Sequence, residues 1–202
     1  MRSSVFVAVL MGCALLMTSV VWADVSTGEV TPNFALSDTQ GQAHSLMDYK
    51  GKFVVLEWWN PQCPFVKKHY NSHNMQNLQK MYTEKGVVWL VINSSAEGKE
   101  GYSTPEEVTQ LMTSKEAHPT AVLFDSNGKV GKLYGAQTTP HMFVLDLEGV
   151  LSYQGAIDSI SSADPEDITK ATNYVAQALD EAMAGKAVTT AGTKSYGCSV
   201  KY

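Results

Sequence analysis

The sequence predicts an α/β fold, a central mixed sheet flanked by helices with an N-terminal strand extension. Three observations point there. Apolar runs with the composition of buried strands, at residues 53–58 and 87–93, alternate with segments of helical period. Residues 142–146 and 150–154 then form a hairpin pattern around Leu147-Glu148-Gly149. An amphipathic segment over 165–184 closes the arrangement. At 202 residues, with 44% hydrophobic and 17% charged residues, the chain fits one medium domain plus extensions and has enough apolar material for one core. The net charge of -5 and the lack of any Lys/Arg-rich run argue against a nucleic-acid partner.

Taken in order, Phe34 and Leu36 alternate with smaller or polar residues, as in a short edge strand, and residues 38–41 are a turn signal. Residues 45–52 suggest a short helical turn ended by Gly51. The first central strand, 53–58, leads into Cys63. A helix is expected from Pro64 to about Lys85, with Val66, Tyr70, Met75, Leu78, Met81 and Tyr82 at three- and four-residue spacing. Its stretch Asn71-Ser72-His73-Asn74 is a poor helix former and marks a kink or interruption. After the second central strand, the loop 94–104 either borders a ligand site or is a plain solvated connection. A helix follows over 105–116, capped by Thr104, with Pro105 in its first turn and Glu106 and Glu107 favouring its dipole. A short strand at 120–124 and a short helix at 128–134 precede Thr139-Pro140. The closing helix turns Ile168, Ala171, Tyr174, Val175, Ala178, Leu179 and Met183 inward.

Residues 1–23 read as an export signal: a cationic start at Arg2, an almost wholly apolar run over 5–21, and a small residue at Ala23. An uncleaved anchor is the alternative, and Leu10-Met11-Gly12-Cys13 faintly resembles a lipoprotein signal. The expected organisation is thus a signal peptide 1–23, a domain 24–184 and a Thr/Ala/Gly-rich tail 185–202, periplasmic or extracellular and without stable membrane insertion after cleavage. Removing the signal leaves Cys63 and Cys198. In an oxidising compartment two cysteines tend to pair or to work as a redox couple.

Cys63 sits between Pro61 and Pro64 where a strand gives way to a helix. A helix N-terminus favours negative charge, and Lys67, Lys68 and His69 follow in the next turns, so a reactive thiolate is expected. A buried structural cysteine is the other reading.

Four segments carry a resemblance: Thr31-Pro32-x-Phe34-x-Leu36-x-Asp38-x-x-Gly41, Asp48-Tyr49-Lys50-Gly51-Lys52-x-Val54-Val55-Leu56, the Trp-containing turn with Cys63, and Thr139-Pro140-x-x-Phe143-Val144-Leu145-Asp146. Together they resemble the redoxin branch of the thioredoxin-like superfamily, which includes peroxiredoxins (the alkyl hydroperoxide reductase and thiol-specific antioxidant group) and exported thiol–disulfide oxidoreductases. The resemblance implies a thioredoxin-like fold, Cys63 as nucleophile, Pro140 as a cis-proline facing it, and Thr139 as a source of backbone groups for a bound substrate strand. Val66 stands where a second local cysteine would be, which leaves Cys198 as the candidate resolving thiol on a flexible tail. Asn60 stands where peroxiredoxins carry Thr or Ser, a partial replacement for their peroxide-binding hydroxyl. His69, His141 and Lys67 are candidate thiolate stabilisers.

Three function classes follow. The first is an exported thiol–disulfide oxidoreductase acting with a thiol reductant. The second is a thiol peroxidase working through a sulfenic acid. The third is a non-catalytic binding or copper-handling module. No cofactor and no resident metal are expected.

Overall fold

The structure is a computed structural model that describes residues 25–202. The expected signal segment and Cys13 lie outside the described residues. Among those described, no helix is long and apolar enough to cross a membrane.

The elements run β1 (Ala35–Asp38), β2 (Ala43–Ser45), β3 (Val54–Trp58), α1 (Pro64–Asn71), α2 (Asn74–Thr83), β4 (Val88–Asn93), α3 (Pro105–Ser114), β5 (Ala121–Phe124), α4 (Lys129–Leu133), β6 (Thr138–Thr139), β7 (His141–Leu145), β8 (Leu151–Gly155), α5 (Tyr174–Met183) and β9 (Cys198–Ser199). Seven strands form one sheet in the order β2-β1-β5-β4-β3-β7-β8, and β6 pairs with β9 in a separate ribbon. Strands β3, β4 and β5 are parallel neighbours, while β7, β8, β1 and β2 add antiparallel pairings, so the sheet is mixed.

Side-chain alternation divides the core in two. Val54, Leu56 and Trp58 pack with Leu90, Ile92, Phe143 and Tyr134 on one face. Val55 and Trp59 pack with Val66, Tyr70, Trp89, Val144 and Leu179 on the other, beneath α1, α2 and α5. Every residue of β3, β4 and β7 is buried, as the unbroken apolar runs require of strands covered on both faces. Each fully buried Leu, Val, Ile or Phe contributes about 1.5–3 kcal/mol.

One expected helix breaks where its sequence marked an interruption, and another is shorter than predicted. The helix after Cys63 is interrupted: α1 stops at Asn71, Ser72 turns its hydroxyl back to the Lys68 carbonyl at 2.8 Å, and His73 takes a left-handed φ of 60°. The closing helix covers only its second half. Asn173 caps it by accepting the Ala176 N–H at 2.9 Å, which starts the helix at Tyr174 and leaves Ile168 and Ala171 outside it. The predicted edge strand β1 is itself covered by β2, because the 38–41 turn folds a hairpin partner onto it. Thr104 caps α3 as expected, and Glu107 adds the reciprocal bond by accepting the Thr104 N–H.

Glu57 departs from the apolar pattern of β3. It is fully buried, and it accepts hydrogen bonds from Tyr70 Oη at 2.9 Å, Trp89 Nε1 at 2.8 Å and Gln79 Nε2 at 3.3 Å. Burial pushes its carboxyl up to about 7 against the opposing pull of these three donors. The native state therefore holds a proton that the unfolded chain releases from about pH 4.5 upward. Glu57 contributes a stability that is full below pH 4.5 and is lost as pH rises through 7, on the order of 3 kcal/mol. His69 and His141, buried and held down to about 4, act in the opposite sense between pH 4 and 6.5. Urea unfolding of wild type and Glu57→Gln isolates the carboxyl: the stability of the wild type relative to the variant is expected to fall between pH 4.5 and 7.5, and a difference that is flat with pH refutes the assignment.

Candidate active site

Strand β3 delivers the chain to the turn Trp59-Asn60-Pro61-Gln62. Cys63 is the N-cap of α1, with Pro64 in the first helical position. The Cys63 N–H donates to the Asn60 carbonyl at 3.2 Å, which closes the turn. The Asn60 side chain, expected to face substrate, is engaged by the chain's own backbone. Its Oδ1 accepts from the Gln62 N–H at 2.8 Å and its Nδ2 donates to the Glu100 carbonyl at 3.2 Å. Asn60 thus clamps the cysteine turn to the loop 94–104.

The opposite wall comes from β6. The Thr139–Pro140 peptide is cis, and the Thr139 carbonyl accepts from the Cys63 thiol at 3.0 Å. The Thr139 hydroxyl is buried beside the same sulfur and makes no hydrogen bond within the protein. His141 follows on β7, its Nδ1 accepting from the Gln137 N–H at 3.3 Å and its ring 4.5 Å from that of Phe143.

The tail covers this site. Strand β9 pairs antiparallel with β6, so that Cys198 lies opposite Thr139. Beyond it the Val200 N–H donates to the Gln137 carbonyl at 3.1 Å, the Ala96 N–H to the Lys201 carbonyl at 2.8 Å, and Tyr202 Oη to the Ala136 carbonyl at 2.8 Å. The flexible carrier expected from the composition of 185–202 is instead a docked segment. Its few large residues, Tyr196 and Tyr202, find receiving surfaces, and its small ones permit close approach. At Gly197 (φ 137°) a Cβ would stand 2.1 Å from the Thr139 carbonyl oxygen. Under the tail Cys63 has no exposed surface, whereas Cys198 is half-buried.

Both cysteines are free thiols, and they interact unequally. Burial alone raises the Cys63 pKa, but the polar hydrogens near its sulfur, of the Cys198 thiol, the Thr139 hydroxyl and the backbone N–H groups of Val66 and Cys198, outweigh it and hold it below the ordinary value. Cys198 is pushed up to about 12 by burial and by its bond to Cys63, with Glu100 adding repulsion. Of the two, Cys63 is the thiol that loses its proton more readily, and Cys198 is the one that keeps it. Positive charge plays a smaller part than expected. His69 and His141 are kept neutral by burial, at about 4, and Lys67 points to solvent. Donors from the α1 N-terminus and from β9 replace them.

Several residues of the site were not singled out in the sequence. Glu100 and Gly101 come from the loop 94–104. Asp158 and the half-buried Tyr196 gather beside α1 around Lys68, which the sequence had marked only for its charge. The Tyr196-Gly197-Cys198 spacing was the one available signal. No group of three or more His, Cys, Asp or Glu side chains converges as a metal site among the described residues. A groove of about 510 Å³ is lined by Phe53, Leu151, Lys186 and Val188 and contains neither cysteine.

The unequal pair has a measurable consequence. Peptide-resolved alkylation of the reduced protein across pH is expected to give Cys63 a titration midpoint below that of an ordinary thiol. In Cys198→Ala, which removes the S–H donor, the midpoint moves upward. A midpoint unchanged in the variant refutes the contribution of Cys198.

Comparison with known proteins places this geometry. The chain is 29% identical over 138 residues to the thiol-disulfide oxidoreductase ResA of Geobacillus thermodenitrificans, covering 62% of this chain and 79% of that protein. It is 30% identical over 127 residues to the thioredoxin-like protein YneN of Bacillus subtilis, covering 63% and 69% respectively. The crystal structure of an uncharacterized conserved protein from Geobacillus kaustophilus superposes with a TM-score of 0.77 at 28% identity, over 88% of this chain and 92% of that one. The mixed sheet with its flanking helices is the thioredoxin-like fold that the sequence motifs implied. The Redoxin family model matches residues 26–172, and the chain belongs to the Redoxin family.

Proposed function

We propose that this protein is a thiol–disulfide oxidoreductase in which Cys63 is the nucleophile and Cys198 the resolving thiol. The observation that carries the reading is the pairing of β9 with β6, which sets the two free thiols against each other opposite the cis-proline. The likeness to ResA supports the reaction class.

In the proposed cycle the Cys63 thiolate attacks one sulfur of a substrate disulfide, and the other leaves as a thiolate that takes a proton. Cys63 then carries a mixed disulfide and no negative charge. The bond that kept the proton on Cys198 is lost with that charge. Cys198 gives up its proton and attacks the Cys63 sulfur, which releases the second substrate thiol and leaves a Cys63–Cys198 disulfide. A thiol reductant restores the dithiol. Thr139 offers the backbone edge on which a substrate strand would pair, once β9 has left it.

The peroxidase reading has weaker support, since the amide at Asn60 is held by Gln62 and Glu100. The copper-handling reading has only the two thiols and His residues already held by other partners. Export with cleavage after Ala23, a domain over 24–184 and a tail over 185–202 belong to the same proposal and rest on the N-terminal sequence pattern.

Non-reducing peptide mapping after mild oxidation is expected to recover a Cys63–Cys198 disulfide. With a model disulfide as substrate, Cys63→Ser falls to the protein-free rate and Cys198→Ser accumulates a mixed disulfide on Cys63. Turnover by Cys63→Ser at the wild-type rate refutes the assignment.

A further inference from the structure

A charged cluster lies buried outside the thiol pair. Asp158 is 4% exposed and Lys68 is 3% exposed, and Lys68 Nζ stands 3.3 Å from Asp158 Oδ2. Removing two charges from water costs several kcal/mol each, and apolar replacements of similar volume are often as stable, so such a pair is weak evidence of a device for stability. Its surroundings indicate what it positions. The second oxygen, Asp158 Oδ1, accepts from the Ile160 N–H at 3.0 Å and from the hydroxyl of Tyr196. Tyr196 belongs to the tail, two residues before Cys198. The Tyr196 ring packs edge-on against Phe65, centroids 5.7 Å apart, with Lys68 Nζ 5.8 Å from its centre. Phe65 and Lys68 lie on α1, the helix that Cys63 caps.

We propose that Asp158 and Tyr196 are positioning residues for the redox pair: Asp158 holds the Tyr196 hydroxyl, and Tyr196 seats Cys198 on Cys63. Neither touches the reacting sulfurs. Gly197 between them leaves room for Thr139, so Tyr196-Gly197-Cys198 reaches from the anchor on α1 to the edge of β6. On the far side of Cys198, Val200, Lys201 and Tyr202 hold the tail to Gln137, Ala96 and Ala136. The Tyr196 side is the one that ties the tail to the helix of the nucleophile. The same latch controls access. Cys63 has no exposed surface while β9 is docked, so a bulky reagent reaches it only when this end of the tail lifts. The inference rests on the proposed Cys63–Cys198 couple and adds the residues that set its equilibrium.

Tyr196→Phe tests this in the full chain, since it removes one hydroxyl and keeps the ring against Phe65. Two quantities are measured. One is the equilibrium of the Cys63–Cys198 disulfide with two glutathione thiols, giving the dithiol and glutathione disulfide. The other is the rate at which a bulky maleimide labels Cys63 in the reduced protein. A hydrogen bond to a charged group makes a net contribution that corresponds to roughly tenfold or more in an equilibrium constant. The equilibrium is expected to shift about tenfold toward the dithiol, and labelling of Cys63 to accelerate by a similar factor. A purely structural role for Tyr196 lowers the thermal midpoint and leaves both quantities at wild-type values. Agreement with wild type in either quantity overturns the proposal. Failure of the wild type to form the disulfide at any glutathione ratio sinks the underlying couple instead, so the two failures are distinguishable.

Discussion

The backbone of Thr139 is the point on which the site depends. Its carbonyl accepts from the Cys63 thiol, and its strand pairs with the one that carries Cys198. One residue before a cis peptide therefore meets the thiol of Cys63 and the backbone of Cys198, although 76 positions separate it from Cys63 and 59 from Cys198 by the numbering. Nothing local in either cysteine segment produces that meeting. It follows from the sheet order, which sets β7 beside β3 and so brings the turn before β7 against the turn after β3. The register Trp58 opposite His141 fixes the approach within one residue.

Given that geometry, the electrostatics of the pair follow from who can donate. Two buried thiols cannot both ionise at low cost. The one at the helix N-terminus has backbone N–H groups within reach, while the one on β9 faces Glu100. The asymmetry lowers one thiol and raises the other without a cationic side chain beside Cys63, in keeping with the roles proposed for them. It also explains why buried, neutral histidines are tolerated beside the site: His69 and His141 pack as part of the scaffold, each with a hydrogen-bond partner on Nδ1.

Two of the buried carboxyl groups, Glu57 and Asp158, tie together the elements around Cys63. Glu57 joins β3 to α1, α2 and β4 through Tyr70, Gln79 and Trp89. Asp158 joins the segment after β8 to α1 and to the tail through Lys68 and Tyr196. An unpartnered buried carboxylate is costly, so these partners restrict the packing to arrangements that satisfy both groups. The elements they connect are those that carry Cys63 and Cys198.

By itself the sequence determined the local elements and singled out Cys63, the proposed nucleophile. The apolar runs of β3, β4 and β7 require burial on both faces. Pro64 after Cys63 and Thr104-Pro105 set two helix starts, and Asn71-Ser72-His73-Asn74 broke the first helix, all through the backbone chemistry of a few adjacent residues. The motif around Thr139-Pro140 was legible for the same reason. The closing helix was overextended because the Asn173 cap competes with an apolar period that continues on both sides of it. Only the tertiary structure decided the fate of the tail. Its composition reads as flexible, since Gly, Ala and Thr carry little apolar surface. Its order comes from receptors elsewhere: Asp158 for Tyr196, the edge of Thr139 for Cys198, and Ala136 for Tyr202. Contacts between residues so far apart in the chain have no local pattern, because their cost and their reward both appear only once the sheet has brought the two ends together.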